Sequence, residues 1–214
     1  MKPRSRLLAV LLAGFVALSS FATRAWAEEG KLTAKRILEL WKQPDDRSVI
    51  PMGFKRWPNA SEYQASLSIT LANGDKHEIP PFKVPEKLVG GKHLLYRVSL
   101  PASPVEIYGV NWHDPKTDVY RKAVCVKGKD GGEAEGFEKV IHFIGIRYPG
   151  TDLYAFTQTE GGPPNEKSVY IERHTPEKSA WKFLFYDENG KVIRTERGQA
   201  IPTKRPKRAP PVKD

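Results

Sequence analysis

Five histidines and a single cysteine are the residues of this chain best suited to chemistry, and their spacing limits what they can do. His77, His93, His113, His142 and His174 never recur at an interval that sets two imidazoles side by side on one element, so none forms a local metal-binding pair. His142 lies in Val140-Ile141-His142-Phe143-Ile144. On a strand it shares a face with Val140 and Ile144. Facing a cavity, its imidazole could ligate haem iron or a transition metal; a hydrogen-bonded core histidine fits the same pattern. His113 precedes Asp114, which suits either an acid/base pair or the capping of a turn. Cys125 stands alone in Val124-Cys125-Val126, so no intramolecular disulfide can form, and its apolar neighbours suit a buried, inert thiol.

Signatures of dedicated catalysis are missing. The chain has no Gly-x-Ser-x-Gly, no His-Glu-x-x-His, no Cys-x-x-Cys and no phosphate-binding loop. Gly128-Lys129-Asp130-Gly131-Gly132 lacks the spacing of such a loop and reads as a connection. Asp187-Glu188-Asn189-Gly190 lacks the closing bidentate glutamate of a calcium loop and reads as a hairpin turn. Asn59-Ala60-Ser61 is a glycosylation sequon, relevant only in a eukaryotic secretory route. The aromatics carry more. Trp181, Phe183 and Phe185 share one strand face, as do Tyr154 and Phe156, and with His142 they are the candidate wall for an apolar or planar ligand. Core packing and cross-strand pairing would use the same residues.

The elements that position these residues are mostly strands. Tyr63, Ala65, Leu67, Ile69 and Leu71 alternate with polar residues, the period of a half-buried strand. Asn73-Gly74 predicts a two-residue hairpin turn, 76–79 returns beside the first strand, and Pro80-Pro81 is expected to end that pairing. Further strands are expected at 92–100, 105–112, 119–127, 139–147, 153–159, 168–174, 181–187 and 191–197, separated by turn-rich breaks. Residues 140–144 are apolar on both faces, as if covered from inside and outside. One short helix is expected after Thr33, a good N-cap, with Ile37, Leu38 and Trp41 on one face and Pro44 as its stop. The fold class is therefore all-β: an antiparallel meander, closing into a lipocalin-like barrel rather than a sandwich because closure removes exposed edges, with one N-terminal helix.

The chain ends differ from this body. Lys2, Arg4 and Arg6 precede an apolar run to Ala22, and Ala25-Trp26-Ala27 supplies small residues for cleavage. Residues 1–27 thus read as a Sec-type signal peptide cleaved after Ala27, which places the protein in the periplasm or outside the cell. The apolar run is too short to span a bilayer, and no later segment is apolar enough. Of the formal +10, the first 27 residues hold four basic and no acidic side chains. The last eleven hold five basic and one acidic, so the body is nearly balanced and offers no nucleic-acid footprint. Four domains of sequence follow: 1–27 signal, 28–60 helix and irregular lead-in, 61–201 β domain, 202–214 a disordered Pro-rich basic tail. In that tail Lys204, Arg205, Lys207 and Arg208 could meet an anionic envelope surface.

Two stretches also resemble a known group. Gly90-Gly91-Lys92-His93-Leu94-Leu95-Tyr96 enters one strand, and Gly109-Val110-Asn111-Trp112-His113-Asp114-Pro115-Lys116-Thr117-Asp118-Val119-Tyr120-Arg121 reads as strand, turn, strand. With Trp181 to Phe185 and the turn at Asp187 to Val192, residues 88–200 resemble exported bacterial proteins with lipocalin-like (calycin) barrels, mostly of unknown function. The resemblance implies a meander barrel with an interior cavity and carries over no catalytic residue. It departs at the start, where such barrels often open on Gly-x-Trp; Trp41 and Trp57 here lack the glycine.

The leading expectation is a non-catalytic barrel that binds a small apolar or amphipathic ligand in the cell envelope. The alternative is an envelope interaction protein working through its surface and tail. A third is a hydrolase or isomerase acting in the barrel, using His142 or His113 with a carboxylate such as Asp114. No cofactor is called for, with haem at His142 the one exception kept open.

Overall fold

Alternating side chains and short turns fold this chain into ten antiparallel strands. They are β1 (Glu62–Leu71), β2 (Lys76–Val89), β3 (His93–Ser99), β4 (Val105–Asp114), β5 (Val119–Gly128), β6 (Ile141–Arg147), β7 (Leu153–Glu160), β8 (Lys167–His174), β9 (Ser179–Tyr186) and β10 (Val192–Lys204). Each pairs with the next in sequence, and β1 pairs with β10, so the sheet is a closed meander barrel with no free edge. The computed structural model describes residues 31–47, 60–100, 103–129, 140–163 and 165–204. The expected signal segment, the irregular stretch 51–59 and the tail beyond Lys204 lie outside the described residues.

One helix, α1 (Ala34–Lys42), starts where Thr33 caps it, its hydroxyl accepting from the Arg36 N–H at 3.2 Å. Ile37 and Leu40 are buried against the outer face of the barrel, among Leu95, Val110, Trp112, Ala123 and Cys125, with Val140 at the margin. This explains why part of the sheet is apolar on both faces: its outer side is covered by α1. No helix among the described residues is long and apolar enough to cross a membrane.

Three local expectations need correction. Pro80-Pro81 does not end β2. The register slips between Ala65↔Phe82 and Leu67↔Ile79, so both prolines oppose one residue, Ser66, in a bulge that dispenses with their missing N–H groups. The Asn73-Gly74 turn is a three-residue loop: Leu71 pairs with Asp75, and Gly74 takes φ +92°. The loop before Lys191 repeats it, with Gly190 at φ +76°. Finally, β10 continues to Lys204, so Pro202, Thr203 and Lys204, expected in the tail, are strand residues beside β1, where Lys204 Nζ lies 3.3 Å from Glu62 Oε2.

Candidate functional site: a graded barrel interior

Register fixes which side chains point inward. Directly paired residues share a face, and the pairs Asn111↔Lys122, Lys122↔Phe143, Gly145↔Phe156, Phe156↔Tyr170 and Tyr170↔Phe183 trace one continuous interior surface. Three interior glycines admit large rings from the neighbouring strand. A Cβ on Gly145 would sit 2.3 Å from Phe156 Cδ1, one on Gly109 2.0 Å from Tyr96 Cζ, and one on Gly198 2.3 Å from Trp181 Cζ2.

Burial along this surface is graded. Toward the end that carries the β2–β3, β4–β5 and β6–β7 turns, Tyr63, Leu88, Leu94, Tyr120, Tyr154 and Phe156 are all buried. That end is tied to the segment after α1. The Asp46 N–H donates to the Leu88 carbonyl at 2.9 Å, the Leu88 N–H to Asp45 Oδ1 at 3.0 Å, and Arg47 donates to the Ala60 and Glu86 carbonyls. Toward the opposite end, where the β1–β2 and β9–β10 hairpins turn, Phe143 and Ser168 are buried but several inward residues are only partly so: Leu67 and Ile69 on β1, Ile107 on β4, Val124 and Val126 on β5, Phe183 and Phe185 on β9. A side chain that faces inward and still touches solvent borders open space. The interior thus has the character of a cup, closely packed below and less closely packed above, with about two interior positions per strand in its upper part. At ~3.3 Å per residue and a tilt of ~40° that is about 10 Å of depth.

The floor is charged. Lys122 Nζ lies 3.3 Å from Glu172 Oε2, and His174 Nε2 lies 3.2 Å from Glu172 Oε1. His174 Nδ1 is in turn within hydrogen-bond distance of Ser179 Oγ, at 2.7 Å. All three charged or titratable members are buried. The Lys122 ammonium sits 3.7 Å from the Tyr170 ring centre and 5.3 Å from that of Phe156, so aromatic faces supply much of its surroundings. Burial pushes the Glu172 carboxyl up, but Lys122, His174 and hydrogen bonds from His174 and Tyr170 outweigh it and hold the group down at about 2. Burial lowers Lys122, partly offset by Glu172. The carboxylate is the firmly charged member of the pair and the ammonium the weakened one. Near the mouth Arg194 spans Glu166 (3.3 Å) and Glu196 (3.1 Å) and lies 3.7 Å over the Phe185 ring.

The candidate residues read from sequence distribute as follows. Trp181, Phe183 and Phe185 face inward, as do Tyr154 and Phe156; β8 lies between those two strands. Tyr154 and Phe156 are fully buried in the floor. Phe183 stacks on Tyr170 with centres 4.1 Å apart and meets Phe143 edge-on at 6.2 Å. His142 is not an interior residue. It pairs with Ala123, whose side chain packs under α1, so His142 points outward, and the residue expected to hold haem or a metal does not face the cup. Nor do His113 and Asp114 pair. Asp114 accepts from the Lys116 N–H and the Thr117 hydroxyl within its own turn, while His113 Nε2 lies 2.9 Å from Asp118 Oδ1. Cys125 is buried on the outer face beneath α1, and burial pushes its thiol up to about 11. Among the described residues no group of three or more His, Cys, Asp or Glu is placed to hold a metal.

The residues that sequence reading missed are Lys122, Glu172 and Asn111. On β8 the apolar residues Val169 and Ile171 face outward, and Ser168, Tyr170, Glu172 and His174 face inward. The alternation was visible there, but its sense is inverted. No protein-family model matches the chain, and comparison with curated proteins found no match.

Proposed function

We propose that this protein is exported and works as a non-catalytic binding module whose barrel holds a small apolar or amphipathic ligand. One observation carries the reading: inward-facing Leu67, Ile69, Ile107, Val124, Val126, Phe183 and Phe185 remain partly exposed, whereas the large inward side chains Tyr63, Leu88, Leu94, Tyr120 and Tyr154 are buried toward the other end. A barrel that served only as a scaffold would gain by closing that space. At roughly 25 cal/mol per Å² of apolar surface, covering it with a ligand is favourable, and an apolar wall between the charged floor and the Arg194–Glu166–Glu196 group suits an amphipathic one.

Catalysis has less behind it. His142 points outward and Asp114 is engaged within its own turn, and the imidazole that does meet a carboxylate in the interior, His174 beside Glu172 at 3.2 Å, is held in the buried floor by Lys122 and Ser179.

Titration of the purified protein with Nile red, an apolar dye that brightens out of water, tests the reading. Saturable one-to-one binding is expected, with at least tenfold loss in Val126→Arg, which sets a charge on the inner wall near the mouth, and an unchanged melting temperature. No saturable binding by the unaltered protein would sink the proposal.

A further inference from the structure

We propose that the floor of the cup recognises a neutral hydroxyl group between Asn111 and Lys122, so that an apolar alcohol enters hydroxyl first. This rests on the cup reading above and names its ligand class.

Asn111 and Lys122 are directly paired across β4 and β5 with both side chains inward. Asn111 is 3 % exposed, and its Oδ1 has no hydrogen-bond partner among the described residues. Native interiors almost always satisfy such an atom. Beside it, the Lys122 ammonium has three N–H groups to give. Its hydrogen bond runs to Glu172 Oε2, and its other close neighbours are the faces of Tyr170, Phe156 and Tyr96. An acceptor without a donor and a donor with N–H groups to spare thus stand on directly paired residues of one interior face. A hydroxyl answers both, donating to Asn111 Oδ1 and accepting from Lys122 Nζ.

Charge selects among head groups. Glu172, at 3.3 Å, already balances Lys122. A ligand carboxylate would leave one uncompensated negative charge in a buried site, and a ligand ammonium one positive charge; either costs far more than a neutral group. A hydroxyl leaves the balance untouched. The position also suits a head group. Lys122 lies one interior step below half-exposed Val124 on β5, and Asn111 lies one step below Gly109 and two below half-exposed Ile107 on β4. The Tyr96 ring fills the space over Gly109, so a hydrocarbon chain rising from the floor passes beside that ring and runs along Val124 and Phe183 toward the mouth.

Displacement of Nile red by three ligands of one chain length tests this: decanol, decyl methyl ether, which accepts but cannot donate, and decanoate. Decanol is expected to displace the dye at about tenfold lower concentration than either of the others, the value of one well-made hydrogen bond. In Asn111→Leu the alcohol should fall to the level of the ether while the ether is unchanged. Equal displacement by alcohol and ether in the unaltered protein overturns the proposal, an enclosed water then being the partner of Asn111. Strongest displacement by decanoate overturns it in favour of an anion site. A preference for the alcohol that survives in Asn111→Leu also overturns it. If that variant does not fold, the ratio in the unaltered protein decides alone. Dye binding without discrimination leaves the cup reading standing; absence of any dye binding removes both.

Discussion

Lys122 Nζ and Glu172 Oε2 lie 3.3 Å apart across the barrel interior, one on β5 and the other on β8, with both side chains buried. Two strands, β6 and β7, separate them in the sheet, so the pair ties non-adjacent strands together through the floor. Such a pair adds little net stability over well-packed apolar residues, but removing one partner strands a buried charge. Lys122→Met should therefore cost about 3–5 kcal/mol, and Lys122→Met combined with Glu172→Leu much less. Urea unfolding of the two variants compares them; a double variant as unstable as the single one would show that the ion pair is not the source of the cost.

The interior glycines give a steric counterpart. Gly145 lies under the Phe156 ring, 2.3 Å from Cδ1 if it carried a Cβ, and Phe156 is fully buried. That ring cannot swing away into solvent. Gly145→Ala should cost about 1–3 kcal/mol, the usual cost of overpacking a filled core. Gly145→Ala with Phe156→Leu should recover part of it. A Gly145→Ala protein with an unchanged urea midpoint would mean that the floor is looser than its packing indicates.

What the sequence made legible follows from what its alternation encodes. The period of two in β1 and the glycine-bearing turns gave strand number and order, and Thr33 with Ile37 gave the helix. Alternation reports which residues share a face, not which face is inside. On β5, Tyr120, Lys122, Val124 and Val126 alternate with Arg121, Ala123, Cys125 and Lys127, and each set contains a cation. Only the docking of α1 over Ala123 and Cys125 makes that set outward and sends Lys122 inward. The same cover turned His142 outward through its pairing with Ala123. Tertiary cover, which no local window contains, decided the site.

Glu86 sets a pH dependence at the packed end. Burial lifts its carboxyl, Arg47 and the hydrogen bond from Tyr63 pull the other way, and the group is pushed up to about 8. The folded state therefore holds a proton that the unfolded chain releases near the ordinary carboxyl value. Stability from this group is full below that value and is lost as pH rises toward 8. Glu86→Gln should flatten that fall and raise the melting temperature at pH 9 by roughly 5 °C. Scanning calorimetry of both proteins from pH 5 to 9 checks it, and parallel curves would count against a raised Glu86.

Export makes a prediction about mass. Cleavage after Ala27 leaves a protein that begins at Glu28 and carries a formal +6 in place of +10. Expression in a bacterium followed by intact-mass measurement of periplasmic and cytosolic fractions should find the shortened chain in the periplasm. A full-length protein confined to the cytosol contradicts the export reading.

Depth in the barrel should separate residues that hold the fold from residues that meet the ligand. Phe156 is fully buried in the floor, whereas Phe183, one interior layer nearer the mouth, is half-exposed although it stacks on Tyr170 at 4.1 Å. Phe156→Ala empties a closed space and should cost about 3–5 kcal/mol. Phe183→Ala removes a side chain that already borders solvent, so its cost in stability should be nearer 1–2 kcal/mol, while Nile red affinity falls several-fold. Urea midpoints and dye titrations on the same two proteins give both quantities. If Phe183→Ala binds the dye as tightly as the unaltered protein, the ligand does not lie along β9. The wall formed by Leu67, Ile69, Val124 and Val126 would then be the surface to probe.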